Sequence, residues 1–234
     1  MNQNKVRHLG VIMDGNRRWA RAHMLESVMR GHEKGVDTFI DICKWCEEEE
    51  IPYLTVYAFS TENWNRSEQE VSSLFKLMER FFKEEVGTCI KRDIRMVIVG
   101  DLSRLDPEAR ETVQRTMELT KDCKTLVCQV AISYGGRDEI IRAARRYAED
   151  VKEGKADPAD LTEEVFDGYL DTAGIPDIDF VIRTGGNRRL SNFFPWQTVY
   201  SEIWFTDTLW PDFTKEELRE ALDYYEHIQI NKGK

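Results

Sequence analysis

The residues with the clearest chemical potential lie in the stretch HLGVIMDGNRRW, residues 8–19. An apolar run from Leu9 to Met13, bounded by glycine, predicts a buried strand. An aspartate, a glycine, an asparagine and two arginines follow, and the segment from Arg18 to about Met24 predicts a helix. Carboxylate, backbone N–H and guanidinium groups at a strand-to-helix junction can together hold a phosphate and a metal.

Asp14 is the residue of this stretch best suited to a hard cation such as Mg²⁺, which prefers one or two carboxylates together with phosphate oxygens. Gly15 would let the backbone come close to a ligand. A turn that carries solvated charges accounts for the same residues equally well. The stretch by itself therefore does not decide between a ligand site and a surface turn.

The elements that must position these residues follow from alternating patterns along the chain. After the strand at 9–13, further strands are predicted at 53–59, 95–99, 126–133, 179–182 and 201–205. After the helix at 18–24, further helices are predicted at 32–50, 68–86, 107–120, 137–153, 161–170 and 214–227. The alternation predicts an α/β fold, with a mostly parallel central sheet of about six strands flanked by helices.

Three polar stretches, at 14–18, 59–66 and 183–192, each follow a predicted strand. Ligands of parallel sheets bind beyond the carboxyl ends of the strands, so we expect the three stretches to gather at one edge. This convergence favours a ligand site over a surface turn.

Composition narrows the classes of partner. The 234 residues suit one domain spanning 1–234, and 41% hydrophobic residues are enough for a full core. The formal net charge of −10 argues against nucleic acid as a partner. Two arginine clusters then indicate two selective anion sites, with pairing to surface glutamates as the alternative. The clusters are Arg17, Arg18 and Arg21, and Arg183, Arg188 and Arg189.

Five cysteines and an N terminus without a secretory signal predict a reducing, cytoplasmic setting. Cys43 and Cys46 have the CxxC spacing of some metal sites, but they lie in a helical pattern and no second pair has ligand spacing. Core packing is therefore predicted for them. The sequence has no apolar run near the ~20 residues that a membrane span needs.

Five motifs in a fixed order resemble the cis-prenyltransferases of the undecaprenyl diphosphate synthase family. They are MDGNRRWA at 13–20, YAFSTENWNR at 57–66, YGGR at 134–137, RTGGNRRLSNF at 183–193 and WQTVYSEIWFTDTLWPDF at 196–213. The resemblance implies Mg²⁺-dependent enzymes, usually homodimers, that extend an allylic diphosphate with isopentenyl diphosphate and make each new double bond cis. It also implies a hydrophobic tunnel for the growing chain and peripheral contact with a membrane for product release.

The resemblance assigns catalysis to Asp14, as the Mg²⁺ ligand, and to Asn63. Because an amide is not a general base at neutral pH, Asn63 is expected to orient a diphosphate, a water or the isopentenyl group. Glu202 matches a second metal ligand, supplied near the dimer interface, and Glu70 is expected on a mobile loop. Substrate binding is expected of Gly15, Asn16, Arg17, Arg18, Trp19, Arg30 and His32, of Ser60, Thr61, Glu62, Trp64 and Arg66, and of Arg183, Arg188, Arg189 and Ser191.

The tunnel is expected along the apolar face of helix 68–86 and one face of strand 126–132, with ordinary core packing as the alternative for each residue. The strand residues are Leu126, Cys128, Val130 and Ile132. Ala58 is small and leaves room for a chain near the tunnel entrance.

Three positions depart from the family pattern. Asn187 stands where the family usually has Glu or Asp, and Asn231-Lys232-Gly233 stands where an Arg-x-Gly would reach across the dimer. The segment between Trp19 and Gly31 lacks the family's RGxPR pattern, which leaves Arg21 and Arg30 as candidates for its arginine. These departures bear on the acceptor site, which binds isopentenyl diphosphate, more than on the donor site, which binds the allylic diphosphate.

Three alternatives stay open. One is irregular coupling of two allylic diphosphates. Another is a non-catalytic subunit of a heteromeric prenyltransferase, against which the retained Asp14, Asn63, Arg183 and Arg189 argue. The third is a phosphate-ester hydrolase, against which the absence of a second carboxylate cluster and of an activated nucleophile argues.

Overall fold

The protein, described here by a computed structural model for residues 4–230, is built on one parallel sheet of six strands in the order β3-β4-β2-β1-β5-β6. The strands are β1 His8–Ile12, β2 Tyr53–Ser60, β3 Ile94–Val99, β4 Leu126–Tyr134, β5 Phe180–Arg183 and β6 Glu202–Phe205. The predicted α/β fold with a central parallel sheet is confirmed. The predicted departure at 231–233 lies outside the described residues.

Seven α-helices flank the sheet in the described part of the chain. They are α1 Asn16–Ala22, α2 Met29–Glu48, α3 Glu68–Lys91, α4 Pro107–Thr120, α5 Gly136–Lys152, α6 Glu163–Asp167 and α7 Lys215–His227. Their starts follow local sequence signals. Asp106 accepts from the Ala109 N–H at 2.9 Å ahead of Pro107, and Thr214 forms a reciprocal capping box with Glu217.

Alternating side chains of the strands form a core on each face of the sheet. On one face, Leu9, Val11, Leu54 and Val56 pack with apolar residues of α2, α3, α4 and α7. A smaller core, formed mainly by Ile178, Val181, Phe193, Phe194 and Tyr134, covers the other face. Both faces of a parallel sheet are buried, which explains why these strands read as nearly continuous apolar runs.

The topology places the first strand at the centre. β1 pairs with β2 on one side and with β5 on the other. The chain therefore changes direction across the sheet at β1, and the crevice beyond the carboxyl ends of neighbouring strands at such a point is where ligands bind. The three polar stretches follow β2, β1 and β5, which are adjacent strands.

Two elements differ from the predicted ones. The segment after β2, predicted as a turn-rich loop, forms a short 3-10 helix at Thr61–Asn65. The predicted helix at 161–170 is only five residues long, Glu163–Asp167.

Glu70, expected on a mobile loop, lies in the first turn of α3, where its carboxylate pairs with Arg66 at 3.1 Å.

The helices contain no segment long and apolar enough to cross a membrane, within the residues that the structure describes.

A buried histidine makes the stability of the fold depend on pH. The His8 side chain lies between the Pro176 carbonyl at 2.7 Å and the Thr55 hydroxyl at 2.7 Å, and burial lowers its pKa from 6.5 to about 4. Because the unfolded chain binds this proton at a higher pH than the folded chain does, stability is complete above pH 6.5 and falls as the pH is lowered toward 4.

We expect His8→Gln to flatten this dependence. Between pH 7 and pH 5, the free energy of unfolding of the wild type should fall by about 2 kcal/mol more than that of the variant. This follows from ~1.4 kcal/mol for each unit of pKa shift. Urea denaturation at both pH values measures it. Equal losses in the two proteins would show that His8 does not carry the effect.

Candidate active site

The Asp14 carboxylate, just beyond β1, accepts hydrogen bonds from three side chains. Its Oδ2 accepts from Arg183 Nη2 at 3.1 Å and from Asn187 Nδ2 at 2.8 Å, and its Oδ1 accepts from Arg18 Nη2 at 3.1 Å. Partial burial alone would raise the pKa of Asp14, but these hydrogen bonds and the two arginine charges outweigh burial and hold it below its usual value. The group is therefore an anion at neutral pH.

Two pockets flank Asp14. The first pocket has a volume of about 310 Å³ and the second pocket about 730 Å³. The first pocket is lined by Met13, Asp14, Gly15, Asn16, Arg17, Arg18, Arg21, His32, Tyr57, Ala58 and Arg66. The second pocket is lined by Ile12, Met13, Asp14, Tyr57, Ser60, Glu62, Asn63, Arg66, Arg137, Arg183, Arg189, Ser191, Asn192 and Pro195. Each pocket has four arginines, and these exceed its carboxylates, so each suits an anionic ligand.

Gly15 turns the chain from β1 into α1 with a φ of +123°, and a Cβ there would come within 2.9 Å of the Leu209 Cα. Glycine is needed because of this backbone conformation and this packing. Gly15 therefore has a structural reason on the side facing Leu209, and because it also lines the first pocket its expected approach to a ligand stays a prediction.

Asn63 offers the second pocket a hydrogen-bond donor. Its Oδ1 accepts from the Ser60 backbone N–H at 3.1 Å, within the cap of the short helix after β2. Since that backbone group can only donate, the amide oxygen must face it, and the Nδ2 is left for a ligand. An amide held in this way can orient an oxygen acceptor and cannot remove a proton.

Arg183, at the end of β5, is almost fully buried with 4% of its surface exposed. It donates to the Arg189 carbonyl and, at 2.8 Å, to the Ser191 hydroxyl. Ser191 and Asn192 have φ values of +51° and +67°. Non-glycine residues adopt such angles at a cost of about 1–3 kcal/mol each, which is typical of turns held in place for function.

His32 lies between the first pocket and an apolar cavity. Burial, and next the charges of Arg66 and Arg17, lower the pKa of its imidazole to about 4. The ring is therefore neutral at pH 7. Its Nε2 is buried and finds no hydrogen-bond partner among the described residues. A buried polar atom without a partner is costly, so a ligand that supplies one would be stabilised there.

The apolar cavity behind His32 has a volume of about 90 Å³. Side chains of α3 line it as expected, among them Leu74, Met78 and Phe81, together with Phe39 of α2. Ligand pockets usually measure about 300–1,000 Å³, so this cavity is small for a ligand, and the expected tunnel stays a prediction. Of the predicted strand residues, Val130 alone lines it, whereas Leu126, Cys128 and Ile132 are buried in the core.

Comparison with known proteins decides the family. The family model described as "Putative undecaprenyl diphosphate synthase" matches residues 12–233. The chain belongs to the undecaprenyl diphosphate synthase family. It is therefore a cis-prenyltransferase, and its family acts on prenyl diphosphates. An isoprenyl transferase of Clostridium perfringens is 45% identical over 94% of this chain and 87% of its own length, and one of Wolinella succinogenes is 41% identical over 98% and 97%.

Solved structures of similar proteins show the same fold. Lavandulyl diphosphate synthase from Lavandula x intermedia, in complex with dimethylallyl diphosphate, superposes with a TM-score of 0.94 at 34% identity, covering 98% of this chain and 99% of that one. A probable undecaprenyl diphosphate synthase from Campylobacter jejuni superposes with a TM-score of 0.82 at 38% identity, covering 99% and 100%.

Most of the residues predicted for this undecaprenyl diphosphate synthase homologue meet around the two pockets. The stretches after β1, β2 and β5 do converge, because those strands are neighbours in the sheet. Thirteen predicted residues line one pocket or both: Asp14, Gly15, Asn16, Arg17, Arg18, His32, Ser60, Glu62, Asn63, Arg66, Arg183, Arg189 and Ser191.

Five predicted substrate-binding residues are not brought to these pockets. Trp19 and Arg30 line a separate groove between α2 and α3. Trp19 donates to Asp212 at 2.7 Å, and Arg30 pairs with Glu33 at 3.0 Å. Arg21, the other candidate for the missing arginine, lines the first pocket instead. The remaining three are Thr61, Trp64 and Arg188, and none of them lines either pocket.

Trp64 has a structural role that explains its place in the motif. Its indole donates to the Ser133 hydroxyl at 3.0 Å and stacks on Phe75 of α3 with ring centroids 5.2 Å apart. The guanidinium of Arg104 lies 4.4 Å from the centroid of the same ring. Trp64 therefore fixes the short helix that presents Asn63, and it acts on the pocket through that helix.

Glu202, predicted as a second metal ligand, lies away from Asp14 within one chain. It begins β6 and pairs with Phe180, whereas Arg183, beside Asp14, pairs with Phe205 at the other end. Three residues along a strand separate these positions by about 10 Å. A shared metal would need Glu202 from a second chain, so its role stays a prediction.

Three polar residues of the pockets, Tyr57, Arg137 and Asn192, are not among the residues predicted from the sequence, and neither is Asn187, which hydrogen-bonds Asp14. Arg137 belongs to the YGGR motif, which marks it in the sequence, and Asn187 is marked there as a departure from the family pattern. Asn192 accepts from the Arg137 backbone N–H at 2.9 Å and donates to Glu62 at 3.1 Å. It thus joins the ends of β2, β4 and β5, a contact that no local pattern reveals.

The site fits a magnesium ion only in combination with a ligand. Within residues 4–230, no group of three or more His, Cys, Asp or Glu side chains could hold a metal. Asp14 supplies one carboxylate, and Mg²⁺ commonly binds through one or two carboxylates together with substrate phosphates. Asp14 therefore suits an ion that shares its coordination with a diphosphate.

Proposed function

We propose that the protein condenses isopentenyl diphosphate with an allylic prenyl diphosphate, giving a Z-polyprenyl diphosphate of undecaprenyl type or shorter and inorganic diphosphate. The observation that carries the proposal is the position of Asp14 between two arginine-lined pockets of a cis-prenyltransferase fold. A reaction of two diphosphates needs two anion sites with the reacting carbons held between them.

The first pocket would take the allylic diphosphate. Arg17, Arg18, Arg21 and Arg66 supply the positive charge that stabilises the leaving diphosphate, and the apolar cavity behind His32 accepts the start of the hydrocarbon. A longer chain needs more space than the cavity provides, so the side chains that line the cavity would have to move apart. Apolar walls also exclude water from the positive charge that develops on carbon.

The second pocket would take isopentenyl diphosphate, with Arg183, Arg189 and Ser191 at its phosphates and the Asn63 donor beside it. The bond between the allylic carbon and its diphosphate oxygen breaks, and a bond to the terminal carbon of the isopentenyl group forms. One proton then leaves C2 of the isopentenyl group, and the new double bond forms between C2 and C3. Since Asn63 cannot accept it, a phosphate oxygen of the substrate is the proposed acceptor.

Mg²⁺ held by Asp14 would neutralise phosphate charge and so favour departure of the diphosphate. A homodimer that brings in Glu202, and contact of the protein with a membrane during product release, are further parts of this proposal. The cytoplasmic setting inferred from the cysteines stays a prediction.

Incubation of the purified protein with Mg²⁺, labelled isopentenyl diphosphate and allylic primers of several lengths tests the function. Label in an apolar product of defined length is expected, with loss of product when EDTA removes Mg²⁺. Release of phosphate alone would indicate a hydrolase, and no reaction would indicate a binding subunit. Dimethylallyl diphosphate supplied alone tests irregular coupling of two allylic diphosphates.

Arg137 provides a prediction within this function. Its side chain lines the second pocket from the start of α5 and has no ion-pair partner among the described residues. We expect Arg137→Ala to raise the KM for isopentenyl diphosphate about tenfold, because one charge-assisted hydrogen bond contributes about 1.5–3 kcal/mol, and to leave the KM for the primer unchanged. Steady-state kinetics with each substrate varied measures both.

Arg145→Ala is the matched control for Arg137→Ala. Arg145 lies on the same helix, is exposed and lines neither pocket. The same change in net charge at Arg145 should leave both KM values within twofold. If the two variants behave alike, overall charge rather than a local contact explains the result.

A further inference from the structure

Asp14 and four side chains beside it form a closed ring of hydrogen bonds. Asn187 donates to Asp14 at 2.8 Å and accepts from Arg189 Nη1 at 3.1 Å. Arg189 Nε and Arg183 Nη1 both donate to the Ser191 hydroxyl oxygen, at 3.1 Å and 2.8 Å. Arg183 Nη2 closes the ring on Asp14 at 3.1 Å. The ring joins the carboxylate between the pockets to the two arginines at the end of the second pocket.

Asn187 is an uncharged member of this ring, and its amide group donates one hydrogen bond and accepts another. Its Nδ2 faces the carboxylate and its Oδ1 faces the guanidinium, so both ends of the amide are matched to the charge they meet. Arg189 is an exposed residue on a long flexible side chain. Two of its nitrogens are fixed by Asn187 and Ser191, which leaves Nη2 for a ligand.

We propose that Asn187 is a positioning residue that orients Arg189 toward a diphosphate in the second pocket. The proposal deepens the function proposed above by naming the residue that prepares the second anion site. An arginine that is already oriented loses less conformational entropy on binding than a free one, so the anion is held more tightly. A carboxylate at position 187 would repel Asp14, and a basic side chain there would repel Arg189. The amide instead forms a hydrogen bond with each of them.

The test is a double-mutant cycle on binding of inorganic pyrophosphate, measured by titration calorimetry without Mg²⁺ or prenyl substrate. Asn187→Leu has a similar size but neither donor nor acceptor. Arg189→Lys keeps the charge but cannot bond to both Asn187 and Ser191. We expect Asn187→Leu to raise the dissociation constant about tenfold in the wild-type background and less than twofold in the Arg189→Lys background.

Additive effects in the two backgrounds would overturn the proposal, as would an unchanged dissociation constant in Asn187→Leu or a wild-type protein that binds no pyrophosphate. A role limited to folding would lower the thermal midpoint and affect both backgrounds equally, and melting curves of all four proteins detect it. Failure of the proposed function shows instead as absence of labelled polyprenyl product. The two failures are therefore distinguished by different measurements.

Discussion

Asp14→Ala is expected to lower the turnover number about 10³-fold or more while diphosphate binding persists. Removal of the carboxylate takes away the one acidic group that both pockets share and the proposed ligand of Mg²⁺. It also leaves Arg18, Arg183 and Asn187 without their common acceptor. The remaining arginines still attract diphosphate, so the effect should fall on turnover. Single-turnover assays with labelled isopentenyl diphosphate, together with pyrophosphate titration, separate the two quantities.

Asp14→Asn refines this experiment because it keeps the size of the side chain and removes the charge. Asp122→Ala is the control: Asp122 is exposed and lies between α4 and β4, at the opposite edge of the sheet from the pockets. It should turn over at the wild-type rate. Wild-type turnover in Asp14→Ala would contradict both the metal role and the central place of this carboxylate in the reaction.

Gly31→Ala is expected to destabilise the protein by about 3 kcal/mol, since overpacking of a close contact costs about 1–3 kcal/mol and backbone atoms yield poorly. A Cβ at this position would lie 2.0 Å from the Asn16 carbonyl oxygen and 3.2 Å from the Ala20 Cβ. Helices α1 and α2 would have to separate. Since α1 carries Arg17 and Arg18 directly after Asp14, activity should fall as well. Urea denaturation and the condensation assay measure the two effects.

Gly87→Ala is the matched control within α3. A Cβ at Gly87 meets no atom within 4 Å, so the substitution changes helix propensity alone and should stabilise the protein by about 0.5–1 kcal/mol. Its activity should equal that of the wild type. A stability of Gly31→Ala equal to that of Gly87→Ala would show that the contact between α1 and α2 relaxes freely.

The glycine–histidine motif GHEKG, residues 31–35, contains His32, which the family resemblance assigns to substrate binding, and the structure gives its glycines a separate reason. The motif predicted contact of His32 with a diphosphate, and His32 does line the first pocket. Gly31 and Gly35 on either side of it are there because Asn16 packs directly against both. One motif thus combines a pocket residue with the close helix packing that sets the pocket's position.

The sequence by itself determined the layers of the fold and the edge of the sheet that carries the site. Alternating strand and helix patterns give a parallel sheet, and polar stretches after three strands must meet when those strands are neighbours. The long motifs determined the family. These features are local in sequence or follow from the regular geometry of a parallel sheet.

Only the tertiary structure decided which side chains of each motif face the pockets. Trp64 stacks on Phe75 and Thr61 lies against Gly135, whereas Asn63 lines the second pocket, because the segment is a short helix rather than an open loop. Asn187 reaches Asp14 across 173 positions of sequence. Contacts between distant residues depend on strand order and on the path of irregular turns, and neither follows from residue type and spacing alone.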